Sequence, residues 1–174
     1  LTKPIGTGII TTAIKRNLSS LKNEQQAITI MNTLNDYATK SMSKYSITAC
    51  TDITGFGLLG HLGEMISTSN ATRNKSRNPL IRVILKAESI PYFSGALDLL
   101  YEGYSSTLAP DNRIAWELLK LNDDSFTQVE LDLGSLGRGS KEHLAIMELI
   151  VDPQTCGPLL ISCQPDIAEE LISY

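Results

Sequence analysis

Apolar and polar positions along the chain follow two periods in turn, and the changes of period divide it into elements. Between residues 23 and 45, Ala27, Met31, Leu34, Ala38, Met42 and Tyr45 recur every third or fourth residue. That spacing puts side chains on one helix face, so one long amphipathic helix is expected there. Residues 47 to 53 are β-like, and Leu58, Leu62, Met65 and Ile66 then restore helical spacing from residue 56 to about 69. Residues 67 to 79 carry Ser, Asn, Thr, Lys and Arg with nothing apolar beyond Ala71 and end in Asn-Pro, the composition of a solvated loop. An apolar strand broken by Arg82 is expected over residues 80 to 85, a helix from 94 to about 102, and a polar loop over 104 to 113. Spacing alone does not decide the form of residues 9 to 14 or of the segment around Trp116. Val129, Leu131 and Leu133 alternate with polar neighbours, which predicts a half-buried strand over 126 to 133. A flexible turn at 134 to 140 leads to a helix over 141 to 150, a strand over 159 to 163, and a last amphipathic helix opened by Pro165 and bearing Ile167, Leu171 and Ile172. Strands alternating with helices predict an α/β (α+β) domain over residues 1 to 174, a mixed β-sheet layered with helices.

Composition narrows the function classes. The 174 residues are 42% hydrophobic, enough for one real core. A net charge of −4 and the lack of a Lys/Arg block argue against a nucleic-acid surface. No apolar run approaches the roughly 20 residues of a membrane helix, and no signal-peptide core is visible, so a cytoplasmic protein is expected. Cys50, Cys156 and Cys163 form no CxxC spacing, which suggests neither a disulfide framework nor a zinc knuckle. Cys50 and Cys156 are expected to be small packed thiols. Three Asn-x-Ser/Thr sequons, at Asn17, Asn70 and Asn74, are read as chance. A chain that opens on Leu-Thr-Lys-Pro rather than on methionine is expected to be part of a longer protein.

The chemistry concentrates in residues 49 to 61, Ala-Cys-Thr-Asp-Ile-Thr-Gly-Phe-Gly-Leu-Leu-Gly-His. Gly55, Gly57 and Gly60 let a backbone approach a ligand closely, and the helix that follows offers N–H groups to an anion. A carboxylate beside an anion would repel it, so Asp52 makes sense holding a hard divalent cation that bridges it to phosphate. The same glycines match G-x-G-x-x-G, which keeps a dinucleotide-binding oxidoreductase domain as an alternative. Against it stand Asp52 itself and the polar strand preceding the turn. A non-catalytic packing or dimerisation module, with the glycines serving only strand-to-helix packing, is the other alternative. Lys3 in Lys-Pro-Ile-Gly-Thr-Gly is a candidate phosphate contact. His61 and Glu64, one helical turn apart, form a pair more suited to a helix surface than to a metal.

Three separated motifs together resemble the selenophosphate synthetase (selenide, water dikinase) family. They are Leu1-Thr-Lys-Pro-Ile-Gly-Thr-Gly8, residues 49 to 65 through Gly-His-Leu-Gly-Glu-Met65, and Asp152-Pro-Gln-Thr-Cys-Gly-Pro-Leu-Leu-Ile-Ser162. The resemblance implies the C-terminal domain of the aminoimidazole ribonucleotide synthetase-like fold, packed against an N-terminal domain of the same polypeptide in a homodimer. It implies that the whole enzyme consumes ATP, selenide and water and releases selenophosphate, AMP and orthophosphate with Mg²⁺ as cofactor. Asp52 would be a metal ligand reaching across from this domain, Thr54 and Gly55 would shape the adjacent turn, and Lys3 would line the phosphate cleft. The family's nucleophile, catalytic lysine and most metal aspartates belong to the other half, so no catalytic residue is expected here and the chain alone should be inert. Two places depart from the family pattern: Cys156-Gly157-Pro158 stands where Ser-Gly-Gly is usual, and Leu-Ala-Pro-Asp precedes Asn112-Arg113.

Overall fold

The computed structural model describes residues 1–120 and 129–172. Helix α1 (Thr7–Lys15) is followed by α2 (Leu21–Asn32), α3 (Asp36–Met42), strand β1 (Ile47–Asp52) and the long helix α4 (Gly57–Lys75). Strand β2 (Val83–Lys86) leads through a 3-10 turn to α5 (Ser94–Tyr101), the short α6 (Ala109–Asn112) and a 3-10 segment, Arg113–Leu119. Strand β3 (Val129–Asp132), α7 (Lys141–Leu149), β4 (Leu159–Cys163) and α8 (Pro165–Ile172) complete the order. The α/β class expected from the sequence is thus present, with the strands in two small pairs. β1 runs antiparallel to β4, with Asp52 opposite Leu159, and β2 runs parallel to β3, with Val83 opposite Val129. Residues 126 to 128 of the predicted third strand lie outside the described residues.

Helix α1 is central because its sequence leaves it little polar surface: Ile9, Ile10 and Ala13 are buried, and it packs against α2 and α5. Helix α5 packs in turn on α7, with Ala96, Leu97 and Leu99 of the one and Ala145, Ile146 and Leu149 of the other buried. Side-chain caps fix two helix starts. Ser20 accepts from the Asn23 N–H to open α2, and Ser140 accepts from His143 to open α7.

Several boundaries differ from the sequence reading: the polar loop expected over 104 to 113 contains the short helix α6, opened by Ala109-Pro110, and the apolar strand expected over 80 to 85 begins only after Arg82, at Val83. The single helix expected over 23 to 45 is two, α2 and α3, with Thr33 in an extended conformation between them. Tertiary bonds compensate the broken ladder: Lys3 Nζ donates to the Thr33 carbonyl at 3.0 Å, Thr2 Oγ1 donates to Asn35 Oδ1 at 2.8 Å, and Asn35 Nδ2 donates to the Gly157 carbonyl at 3.0 Å. The residues expected as a loop over 67 to 79 instead extend α4 to Lys75. Its end is a Schellman motif. Arg77 takes φ 57°, and the N–H groups of Asn78 and Arg77 reach the carbonyls of Arg73 and Asn74. Arg73 and Lys75 complement the negative end of the helix.

Asn70 explains why so polar a stretch is retained as helix. It is 0% exposed, donates from Nδ2 to the Ile81 carbonyl at 2.9 Å, and accepts the Ile81 N–H at 2.6 Å through Oδ1. Asn70→Ala should therefore cost about 2–3 kcal/mol by leaving both Ile81 groups unpaired. Urea denaturation checks this, and a change under ~0.5 kcal/mol would remove Asn70 from the role.

Candidate functional site

The three sequence motifs meet in one place, and buried polar groups join them. The first turn of α1 presents its free N–H groups to the Asp152–Gln154 segment. Gln154 Oε1 accepts from the N–H groups of Gly6 and Thr7 at 2.9 and 3.1 Å and from Thr7 Oγ1 at 3.1 Å. Asp152 Oδ2 accepts the Gly8 N–H at 3.0 Å. Gln154 Nε2 donates to both the carbonyl and Oδ2 of Asp152, at 2.8 and 3.0 Å, which fixes which way its amide points. Thr7 Oγ1 then accepts the Thr155 N–H at 2.9 Å. These are the orphan amides of a helix start, satisfied by side chains from a distant loop.

The same loop holds the turn that carries Asp52. The Gln154 N–H donates to the Thr54 carbonyl at 2.9 Å, and the Ile53 N–H donates to the Pro158 carbonyl at 2.9 Å. Asn112 Nδ2 reaches the carbonyls of Gly55 and Val151, at 2.7 and 3.0 Å. Gly57 takes φ 71°, and a Cβ there would lie 2.7 Å from the Val151 backbone, so only glycine lets α4 start this close to the loop. Asp52 itself is exposed at the end of β1, on the same outward face as Thr48 and Cys50. Among the described residues no group of three or more His, Cys, Asp or Glu side chains lies close enough to hold a metal. A single outward carboxylate on a braced backbone suits one ligand of a shared hard-cation site, and does not suit a complete one.

The remaining expected residues fall around it. Thr54 is half-buried, with its carbonyl taken by Gly57 and Gln154 and its hydroxyl against His61 Nε2 at 3.0 Å. Gly55 is exposed, and a Cβ there would meet nothing within 4 Å. The amino end of α4 is less open to an anion than its glycines suggest: Gly57 N–H is bonded to Thr54, and Leu59 N–H donates to the Ile150 carbonyl at 2.8 Å. Lys3 is buried, and its ammonium donates to the carbonyls of Thr33 and Cys156. Burial lowers its pKa from the usual lysine value, with charge at Cys156 acting the other way. Both cysteines expected to be packed are exposed: Cys50 on the outward face of β1, and Cys156 at a tight turn with φ 51°. Burial, and then Asp52, push the Cys50 thiol up. The dinucleotide alternative loses its frame. β1 is antiparallel to its partner, and the strand that follows α4 belongs to the other pair, so no βαβ crossover is formed at this turn.

Asp152 and Gln154, which the sequence offers only as part of a motif, and Asn35 and Asn112 have roles that sequence reasoning did not assign. Asp152 and Gln154 stand between the apolar runs Leu149-Ile-Val151 and Leu159-Leu-Ile161, and polar side chains so flanked are candidates for burial. Asp152 is 2% exposed. Desolvation raises its pKa from 3.8 to about 7, against the lowering effect of Ser106, Ile9, Gln154 and Gly8. Ser106 helps although neither its Oγ nor Asp152 Oδ1 closes a hydrogen bond of normal geometry.

Comparison with known proteins agrees with this convergence. The family model described as "AIR synthase related protein, C-terminal domain" matches residues 1–174. The chain is similar to proteins named selenide, water dikinase from Pelobacter propionicus, Clostridioides difficile and Aliarcobacter butzleri. The identities are 35% over 173 residues, 31% over 172 and 37% over 172, covering 99% of this chain each time. It spans 42% of the length of each of these relatives.

A raised carboxyl pKa has a definite sign. The folded state binds the proton more tightly than the unfolded one, so Asp152 costs nothing in acid, and its penalty grows as pH rises from about 4 through 7. The penalty is on the order of 4 kcal/mol. Asp152→Asn, which carries no such titration, should show a flatter stability profile between pH 5 and 8, read by urea denaturation against the wild type. Parallel profiles would mean that Asp152 ionises without cost.

Proposed function

The chain belongs to the family of AIR synthase related proteins, C-terminal domain, and from that premise we propose that it is the C-terminal domain of a cytoplasmic selenide, water dikinase. In this reading an N-terminal domain of the same polypeptide, absent from these 174 residues, packs against the Asp52 turn. The full-length protein makes selenophosphate, AMP and phosphate from ATP, selenide and water, and acts as a homodimer. The names and lengths of the relatives support this, since each is more than twice as long as the chain. No helix among the described residues is long and apolar enough to cross a membrane.

The observation that carries the reading is Asp52: an exposed carboxylate that is part of no metal-binding cluster among the described residues, on a turn hydrogen-bonded to the 152–158 loop and to Asn112. Such a group suits a cation site whose other ligands would come from a second domain. A divalent cation held there by Asp52 would supply the positive charge that phosphoryl transfer needs to offset its oxygens. The chain's own contribution is geometric. Asp52 offers the carboxylate, Thr54 and Gly55 form the outer edge of the turn, and the open space at Gly55 leaves room for a ligand backbone or phosphate. Lys3, whose ammonium is taken by the carbonyls of Thr33 and Cys156, braces the 152–158 loop behind the turn. No acid, base or nucleophile for the transfer itself is assigned to this chain.

Asp52→Asn in the full-length protein should lower Mg²⁺-dependent ATP turnover by about a hundredfold or more, because an amide oxygen replaces an anionic ligand. The thermal midpoint should stay where it is, since the side chain is exposed. Wild-type turnover in that variant would remove Asp52 from the site. The 174-residue chain assayed alone with ATP and selenide should form no AMP above the uncatalysed background, and turnover near that of the full-length protein would overturn the composite-site reading.

A further inference from the structure

His61 lies one turn into α4, with its side chain 11% exposed. Its Nε2 is 3.0 Å from Thr54 Oγ1, its Nδ1 is 3.3 Å from Glu64 Oε2, and its ring lies 5.6 Å from that of Phe56 at a tilt of 49°. Three neighbours therefore hold one imidazole. Thr54 is fixed in its backbone because its carbonyl accepts from both Gly57 and Gln154. Its hydroxyl is the remaining freedom, and His61 is the group that sets it.

The chemistry of the chain of contacts gives that hydroxyl a direction. An ionised carboxylate only accepts, so Glu64 favours the imidazole proton on Nδ1 and leaves a lone pair on Nε2. Thr54 then donates its O–H to Nε2, and its oxygen faces away from the ring with lone pairs only. A phosphate oxygen is also an acceptor and gains nothing from such a neighbour. A water molecule on a hydrated divalent cation is a donor and does gain, and Mg²⁺ keeps several of its waters when bound.

We propose that His61, oriented by Glu64, is a positioning residue that fixes the Thr54 hydroxyl as an acceptor for a water carried by the divalent cation at Asp52. The inference rests on the reading of Asp52 given above. It adds an outer shell of Thr54, His61 and Glu64, of the kind that tunes a metal site through its ligands.

The first test needs neither metal nor activity. Long-range ¹H–¹⁵N spectra of the 174-residue protein at about pH 8, where an ordinary imidazole is neutral, should show His61 protonated on Nδ1 and bare on Nε2. In Glu64→Ala the proton should spread over both nitrogens. A proton on Nε2 in the wild type, alone or together with one on Nδ1, would overturn the proposal. The second test uses the full-length protein. His61→Ala should raise the Mg²⁺ concentration for half-maximal rate about tenfold, the scale of outer-shell losses, with a smaller change in kcat. His61→Gln, which keeps an acceptor near the Nε2 position, should recover most of the loss. Thr54→Val should match His61→Ala, and the double variant should be no worse than either. An unchanged Mg²⁺ dependence in His61→Ala, alongside a large loss in Asp52→Asn, would sink this inference alone. If Asp52→Asn also leaves Mg²⁺ dependence unchanged, the metal reading itself fails and this proposal with it, whatever the tautomer.

Discussion

The buried bond set between the start of α1 and the side chains of Asp152 and Gln154 is the constraint on which the rest of the structure depends. A helix start carries several N–H groups that its own turns cannot satisfy. Burying them without partners would cost several kcal/mol. Here the amides of Gly6, Thr7 and Gly8 all find acceptors on Asp152 and Gln154, and Gln154 has both ends of its amide engaged. Helix α1 can therefore sit in the core with Ile9 and Ile10 packed and its end still paired. The 152–158 loop, once tied to α1, has its backbone free to bond elsewhere.

That backbone reaches the turn after Asp52. Gln154 binds the Thr54 carbonyl, Pro158 accepts from Ile53, and Gly157 lies so close to Ile53 that no side chain fits between them. Lys3 and Asn35 bind the far side of the same loop, at Cys156 and Gly157. Asp52 is consequently held by residues distant in sequence, while its own carboxylate faces outward. Rigid backbone behind and an open carboxylate in front is the arrangement that the proposed cation site at Asp52 would need.

Much of this was legible in the sequence, and the rest was not for physical reasons. The β1 turn, α4's start, α5, α7 and α8 follow from apolar spacing, and the AIR synthase-related family emerges from the motifs at both ends and at Asp52. Periodicity could not see the break between α2 and α3, because Ala27 through Tyr45 keep helical spacing across it. The break exists because Thr33 and Asn35 have partners in Lys3, Thr2 and Gly157. Nor could composition see α4 continuing through residues 67 to 75, since the residue that anchors it, Asn70, is polar and buried. Residues such as Asp152 and Gln154 resemble turn formers in a sequence, and their function as caps depends on a helix end more than a hundred positions away. His61 and Glu64 were visible as a pair, but the third member, Thr54, precedes the helix and joins them only through the fold.

Asp52 as one ligand of a cation site shared with another domain is the proposal most open to direct measurement. The most direct measurement is a Mn²⁺ titration followed by electron paramagnetic resonance on the full-length protein with nucleotide bound, wild type against Asp52→Asn. The variant should lose or clearly weaken one Mn²⁺ site while its nucleotide-free fold is unchanged. Identical Mn²⁺ stoichiometry and affinity in the two proteins would contradict it.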